Sequence, residues 1–144
     1  MRLFKQDTKV EALRQAPLFQ GMSRHELGQL AQVSEDIEAP PGKVLCKEGD
    51  VGQEFFVIVE GELELTRQGE SLGTATAGDF FGEIALVEDI PRTATVTTKT
   101  PVRFFVLTRQ AFGPLLEVNP GVQRKVMQAL ARRVADLLPE TTPT

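Results

Sequence analysis

The period of the apolar positions changes twice along this chain. Near the N-terminus, Ser23-Arg24-His25-Glu26 forms a capping-box pattern, with Leu27, Leu30 and Ala31 behind it at helical spacing. This predicts a helix over roughly 23–32, preceded by a shorter one from about Lys9 to Gln15 that Pro17 stops. From Val33 to Thr108 the period falls to two. Leu63-Glu64-Leu65-Thr66-Arg67 alternates apolar and polar, Phe55-Phe56-Val57-Ile58-Val59 reads as a fully buried strand, and Val102-Arg103-Phe104-Phe105-Val106-Leu107 closes the set. Turns fall at Pro40-Pro41-Gly42, Glu48-Gly49-Asp50, Glu60-Gly61, Gln68-Gly69 and Ala77-Gly78-Asp79. About eight short strands packed into about 75 residues predict a small antiparallel sandwich or roll.

Helical spacing then returns. Thr108 is a suitable N-cap for a helix over Arg109–Val118. Asn119-Pro120 restarts the chain, with the proline placed for a first helical turn. Val122, Val126, Leu130, Val134 and Leu138 recur at four-residue steps, and Met127 and Leu137 widen that stripe. Such a stripe serves equally to pack the helix on its own domain or to form the seam of a homodimer. The expectation is one domain over 1–144: N-terminal helices over 1–32, the β region over 33–108, C-terminal helices over 109–138 and a Pro/Thr-rich tail over 139–144. The opening methionine and that tail fit a complete short chain.

Composition narrows the class. With 144 residues, 41% hydrophobic and 25% charged, the chain suits one domain with a real core. Its longest strongly apolar run, Phe55 to Val59, is far below the ~20 residues of a membrane span. Met1-Arg2-Leu3-Phe4-Lys5-Gln6-Asp7 shows no secretory apolar segment, and the lone Cys46 makes no internal disulfide; both point to the cytoplasm. A net charge of −4 disfavours nucleic acid as a partner. Residues 60–89 hold eight carboxylates against a single cation, Arg67, so an anion binding there needs a dedicated positive group.

Residues 82–97 supply one. Gly82 precedes a short helix-prone segment, Glu83 follows at once, and Arg92 opens a β-branched strand nine positions after Glu83. Glycine lets backbone approach a ligand closely. Backbone N–H groups at a helix start and a guanidinium fork both hold phosphate. Glu83 would repel a phosphate but accepts hydrogen bonds from sugar hydroxyls, so the layout suits the two ends of a nucleotide.

Phe81-Gly82-Glu83-Ile84-Ala85-Leu86 followed by Pro91-Arg92-Thr93-Ala94-Thr95-Val96 resembles the phosphate-binding cassette of cyclic nucleotide-binding domains, a resemblance that extends over roughly residues 18–138. It implies a mainly β fold with flanking helices: an eight-stranded antiparallel β-roll, jelly-roll-like, with a cassette over 82–96 that contains a short phosphate-binding helix. It further implies a ligand, cAMP or cGMP with cAMP favoured, and no cofactor. Gly82, Ile84 and Ala85 would meet the cyclic phosphate with backbone, Glu83 the ribose 2′-hydroxyl and Arg92 the phosphate charge. Thr93 would donate to phosphate or touch the base, and the Ala94 N–H would donate to phosphate. Leu65 and Leu72 fall where the family lines its base pocket, though ordinary core packing explains them equally. Ala131-Arg132-Arg133-Val134 resembles the long helix of bacterial cAMP receptors, making Arg133 a candidate lid contact. Leu137 and Leu138 stand where those receptors carry hydroxyls that reach adenine, so a hydrophobic lid is expected instead.

Other classes fare worse. A cupin-type metalloenzyme gathers two or three histidines, and His25 is the sole histidine here, so no enzyme is expected. No DNA-reading segment follows the long helix. The remaining alternative is a domain of this fold that serves only as a protein-interaction surface, which retention of both Glu83 and Arg92 argues against. The leading expectation is a sensor module acting on an unidentified protein effector.

Overall fold

The fold follows from two strands that bury both faces. A computed structural model describes residues 6–15, 19–86 and 88–137, with the side chains of residues 6, 7, 83, 84, 129, 130 and 132–137 outside that description. Helices α1 (Gln6–Arg14) and α2 (Arg24–Val33) lead into eight strands: β1 (Glu35–Ala39), β2 (Val44–Cys46), β3 (Glu54–Glu60), β4 (Leu63–Arg67), β5 (Glu70–Ala75), β6 (Phe80–Phe81), β7 (Thr95–Thr98) and β8 (Val102–Thr108). A single turn of 3-10 helix, Glu83–Leu86, sits between β6 and β7, and α3 (Arg109–Val118) and α4 (Pro120–Leu137) end the chain. Two four-stranded antiparallel sheets, ordered β1-β8-β3-β6 and β2-β7-β4-β5, form the expected roll.

The first sheet lies between the helices and the second sheet, which is why β3 and β8 are apolar without a break. Phe55, Val57, Phe105 and Leu107 face the helices, where they join Leu13, Phe19, Leu27, Leu30, Leu86, Phe112, Val122 and Val126. Their sequence neighbours Phe56, Ile58, Phe104 and Val106 turn the other way and pack with Leu63, Val96 and Cys46 between the sheets. Phe19 is wholly buried, with its ring centroid 5.6 Å from that of Phe55 and 6.0 Å from that of Phe112. The second sheet is solvated on its outer face, so β5 is exposed along nearly its whole length. The β4–β5 hairpin closes through Gln68-Gly69, both with positive φ (52° and 82°), and the Glu48 carboxylate accepts from the Gln68 N–H at 3.0 Å.

Several boundaries match local chemistry. Ser23 caps α2 in a capping box: its hydroxyl accepts from the Glu26 N–H at 3.1 Å, and Glu26 accepts from the Ser23 N–H at 2.8 Å. Thr108 caps α3 through the Ala111 N–H, and Pro120 opens α4. At the start of the α4 stripe, Val122 and Val126 are buried in the helix-side core, whereas Met127 is 63% exposed. The further stripe positions Leu130, Val134, Leu137 and Leu138 have side chains outside the described residues, as do Pro17 and the tail. Val118 is also exposed, and His25, in the first turn of α2, sits on the surface.

Glu26 also ties the two ends of the chain together, because its carboxylate accepts from Lys125 Nζ of α4 at 2.9 Å. The Ser23 backbone N–H, followed by Lys125, holds its carboxyl below the ordinary glutamate value of 4.5. A carboxylate with a depressed folded pKa stabilises the fold above its unfolded value, and that contribution disappears as pH falls through the folded one. The melting-temperature difference between wild type and Glu26→Gln should therefore be largest near neutral pH and fade below about pH 4.5. Phe112→Ala, at the centre of the helix-side core, should cost about 3–5 kcal/mol in urea unfolding with both sheets intact.

Candidate ligand-binding site

Arg92 is the centre of the site, and its own backbone fixes where it stands. The Arg92 N–H donates to the Asp50 carbonyl at 2.8 Å, and its carbonyl accepts from the Gly49 N–H at 2.8 Å. Pro91 bridges to Val51 in the same antiparallel sense. The arm before β3 and the arm before β7 thus clasp each other, and the Arg92 side chain is carried inward, leaving only 10% of it exposed. Its Nη2 donates to the Glu54 carbonyl at 2.9 Å and lies 3.5 Å from the Glu54 carboxylate. Its Cζ stands 5.9 Å from the centroid of Phe56, within range of a cation–π contact.

Two glycines make room for this guanidinium. A Cβ on Gly52 would fall 2.6 Å from Arg92 Cζ, and one on Gly82 would fall 2.6 Å from the Glu54 carbonyl oxygen as well as against Nη1. Gly82 also holds φ at +85°, a conformation that a side chain would strain. The positive group is therefore laid flat between two stretches of bare backbone, facing the turn that Gly82 begins.

That turn is the 3-10 segment Glu83–Leu86. The Ala85 N–H donates to the Gly82 carbonyl at 3.0 Å, so in this conformation it closes the turn instead of projecting out of it. Ala85 and Leu86 are buried beneath, and Leu86 belongs to the helix-side core. The side chains of Glu83 and Ile84, and all of Val87, lie outside the described residues. Arg109, the first residue of α3, grips the turn from below: its Nε and Nη2 donate to the Ala85 carbonyl at 3.0 and 2.6 Å, and its Nη1 pairs with Asp89 at 2.6 Å.

The remaining predicted residues lie on several elements. Thr93 is exposed and Ala94 half-buried, with the Thr93 carbonyl accepting from Arg67 Nε at 2.8 Å. Leu65, on β4, is half-buried against the inter-sheet core, and its register partner on β5 is Gly73. Leu72 stands next to that glycine but is 49% exposed, so it is an open apolar surface and not core. The register shifts here, because Leu65 pairs with Gly73 and Thr66 with Ser71, so Leu72 has no partner position on β4. Arg133 lies on α4 with its side chain outside the described residues.

Sequence reasoning missed Gly52, Glu54, Phe56, Arg109 and Cys46 as neighbours of this site. Only Gly52 left a signal, a glycine just ahead of a buried strand. Burial pushes the Cys46 thiol up to about 11, against the pull of Arg92 and with the help of Glu54, so it remains a neutral group behind the guanidinium. Among the described residues no cluster of His, Cys, Asp and Glu could hold a metal ion, and no helix is long and apolar enough to cross a membrane.

The same fold recurs in known proteins. The family model described as the cyclic nucleotide-binding domain matches residues 36–119. A cAMP-dependent protein kinase regulatory subunit of Pyricularia oryzae is 35% identical over 130 residues, covering 88% of this chain and 33% of the relative. The chain thus spans about a third of the length of the curated relatives it matches. Among solved structures, the N-terminal domain of a transcriptional regulator from Streptomyces coelicolor A3(2) superposes with a TM-score of 0.80 at 29% identity, covering 90% of this chain and 99% of that one. A cAMP-bound PfPKA-R segment, 141–441, gives 0.71 at 26% identity, with 92% and 44% covered. With the family model matched over residues 36–119 and a relative 35% identical across 88% of the sequence, this chain belongs to the cyclic nucleotide-binding domain family.

Proposed function

We propose that the chain is a sensor module that binds a 3′,5′-cyclic nucleotide, cAMP in preference to cGMP, and that binding repositions α4. One observation carries the reading: a nearly buried guanidinium, seated between Gly52 and Gly82, faces a turn of backbone and meets its nearest carboxylate among the described residues at 3.5 Å. Among the described residues no carboxylate forms a closely matched fork with this cation, and a monoanionic phosphate supplies one.

In this reading Arg92 takes the phosphate charge, and backbone at Gly82, Ile84, Ala85 and Ala94 takes its remaining oxygens. Opening of the bond between the Ala85 N–H and the Gly82 carbonyl would release one such donor. Glu83 takes the ribose 2′-hydroxyl. Leu65 and Leu72 seat the base, and the exposure of Leu72 leaves that seat open for a lid from α4 that includes Arg133. Thr93 reaches the phosphate or the base. The preference for cAMP rests on the cAMP-bound relative and on the cAMP-dependent kinase regulatory subunits.

The coupling to α4 runs through contacts already described. Arg109 holds the Ala85 carbonyl, so movement of the turn displaces the start of α3 and with it α4. Residues 1–144 then act as one unit on a protein effector. Pairing of two copies through α4 would use the face that carries Met127, since Val122 and Val126 are inside.

Thermal unfolding tests the reading directly. A ligand at 100 times its Kd adds about 2.7 kcal/mol, which in a domain of this size raises Tm by roughly 5–15 °C. The expected order is cAMP, then cGMP, with 5′-AMP giving little; no shift with any of them would favour an interaction-only module. Arg92→Ala should weaken cAMP binding by about 2–4 kcal/mol, roughly 30- to 1000-fold by calorimetry. Unchanged affinity in that variant would place the phosphate elsewhere.

A further inference from the structure

The phosphate seat contains an acid that the nucleotide reading does not use. Glu54 opens β3, and its carbonyl and its carboxylate address the same nitrogen of Arg92, at 2.9 and 3.5 Å. The carboxylate does not depend on Arg92 for its position, because the Gln53 N–H donates to the same Oε1 at 2.9 Å. At 3.5 Å it is too distant for a strong charge-assisted bond, yet its field still reaches the guanidinium. The other buried arginine differs. Arg103 donates to both oxygens of Asp36, at 3.0 and 2.7 Å, in a matched fork, and its Nη1 stands 3.3 Å from Glu38.

Resting on the assignment of the phosphate to Arg92, we infer that Glu54 is a specificity-determining residue that sets this site for singly charged phosphodiesters and rejects doubly charged phosphomonoesters. An anion bound at Arg92 lies close to a fixed negative charge that stays in place when it arrives. The Coulomb energy of that encounter is proportional to the charge on the incoming group. A cyclic diester carries a single negative charge, whereas a terminal monoester carries about −1.5 to −2 near neutral pH. Glu54 therefore penalises the monoester about twice as heavily on a logarithmic scale. Cys46, a titratable group near the guanidinium among the described residues, is a neutral thiol and does not offset this. The carboxylate is 46% exposed, so salt screens its effect.

Glu54→Gln isolates the charge, because the amide oxygen still accepts from the Gln53 N–H. Dissociation constants for cAMP and 5′-AMP should be measured on the full chain, wild type and variant, at about 0.01 M and about 1 M salt, where the Debye length is ~30 and ~3 Å. At low salt the variant should bind cAMP about 5-fold tighter and 5′-AMP about 25-fold tighter, with both gains shrinking at high salt. Glu54→Ala should give the same order if the glutamine variant folds poorly. Equal gains for the two ligands, weaker cAMP binding in the variant, or 5′-AMP undetectable with both proteins would each overturn the inference while leaving the cyclic nucleotide reading standing. Failure of wild type and variant alike to bind cAMP would overturn both.

Discussion

Burying a guanidinium to which the described residues offer no matched carboxylate is the constraint around which this end of the roll is arranged. A charge taken out of water costs several kcal/mol unless partners compensate it. Arg103 shows the compensated solution, with its fork matched to Asp36. Arg92 shows a partial one: a backbone carbonyl, an aromatic face and a carboxylate at 3.5 Å. The cost of holding it inward falls on local backbone. Gly52 and Gly82 give up side chains so that the fork can lie between them, and the arm around Gly49 and Asp50 hydrogen-bonds the Arg92 main chain to hold the root of the side chain still. A cation kept in this state is preorganised, so a ligand does not have to order it on arrival.

The site is joined to both ends of the chain by polar contacts that cross between elements. Arg109 connects the Ala85 carbonyl and Asp89 to the first turn of α3, and Leu86 enters the same core as Phe112 of that helix. α4 is seated through Val122 and Val126 and tied to α2 by Lys125 and Glu26. The β-roll itself offers little freedom, because β3 and β8 are covered on both faces and close packing resists gradual deformation. The helices and the 3-10 turn pack together on one side of it, so any movement proposed for α4 involves the core they share.

Much of the fold was legible because its signals are local. The unbroken run Phe55–Val59 marks a strand covered on both faces, Thr108 marks the start of α3, and Pro120 marks the start of α4. Gly82 and Arg92 were legible through their spacing. What surrounds Arg92 was not, since Glu54 lies 38 residues away in the chain and meets it only through the clasp at Val51 and Pro91. The α4 stripe shows the same limit: a four-residue period defines an apolar face but not what covers it, and only the fold turns Val122 and Val126 inward. Leu65 and Leu72 stand as equivalents in the resemblance, yet one is half-buried and the other, skipped in the β4–β5 pairing, is open.

Net charge is a poor guide to what this surface binds, and the reason is distance and dielectric. The chain is acidic overall, and residues 60–89 are strongly so. Yet Glu60, Glu62 and Glu70 stand exposed at turns and on the solvated sheet, where water and salt screen them over about 8 Å at physiological ionic strength. Arg92 is withdrawn from solvent, so its field is far less screened and dominates close to the turn. A short-range positive seat inside a long-range negative surface slows the approach of anions but does not prevent their binding. Affinity for an anion at such a site is decided by the few charges that share its low-dielectric surroundings, and not by the sum over the chain.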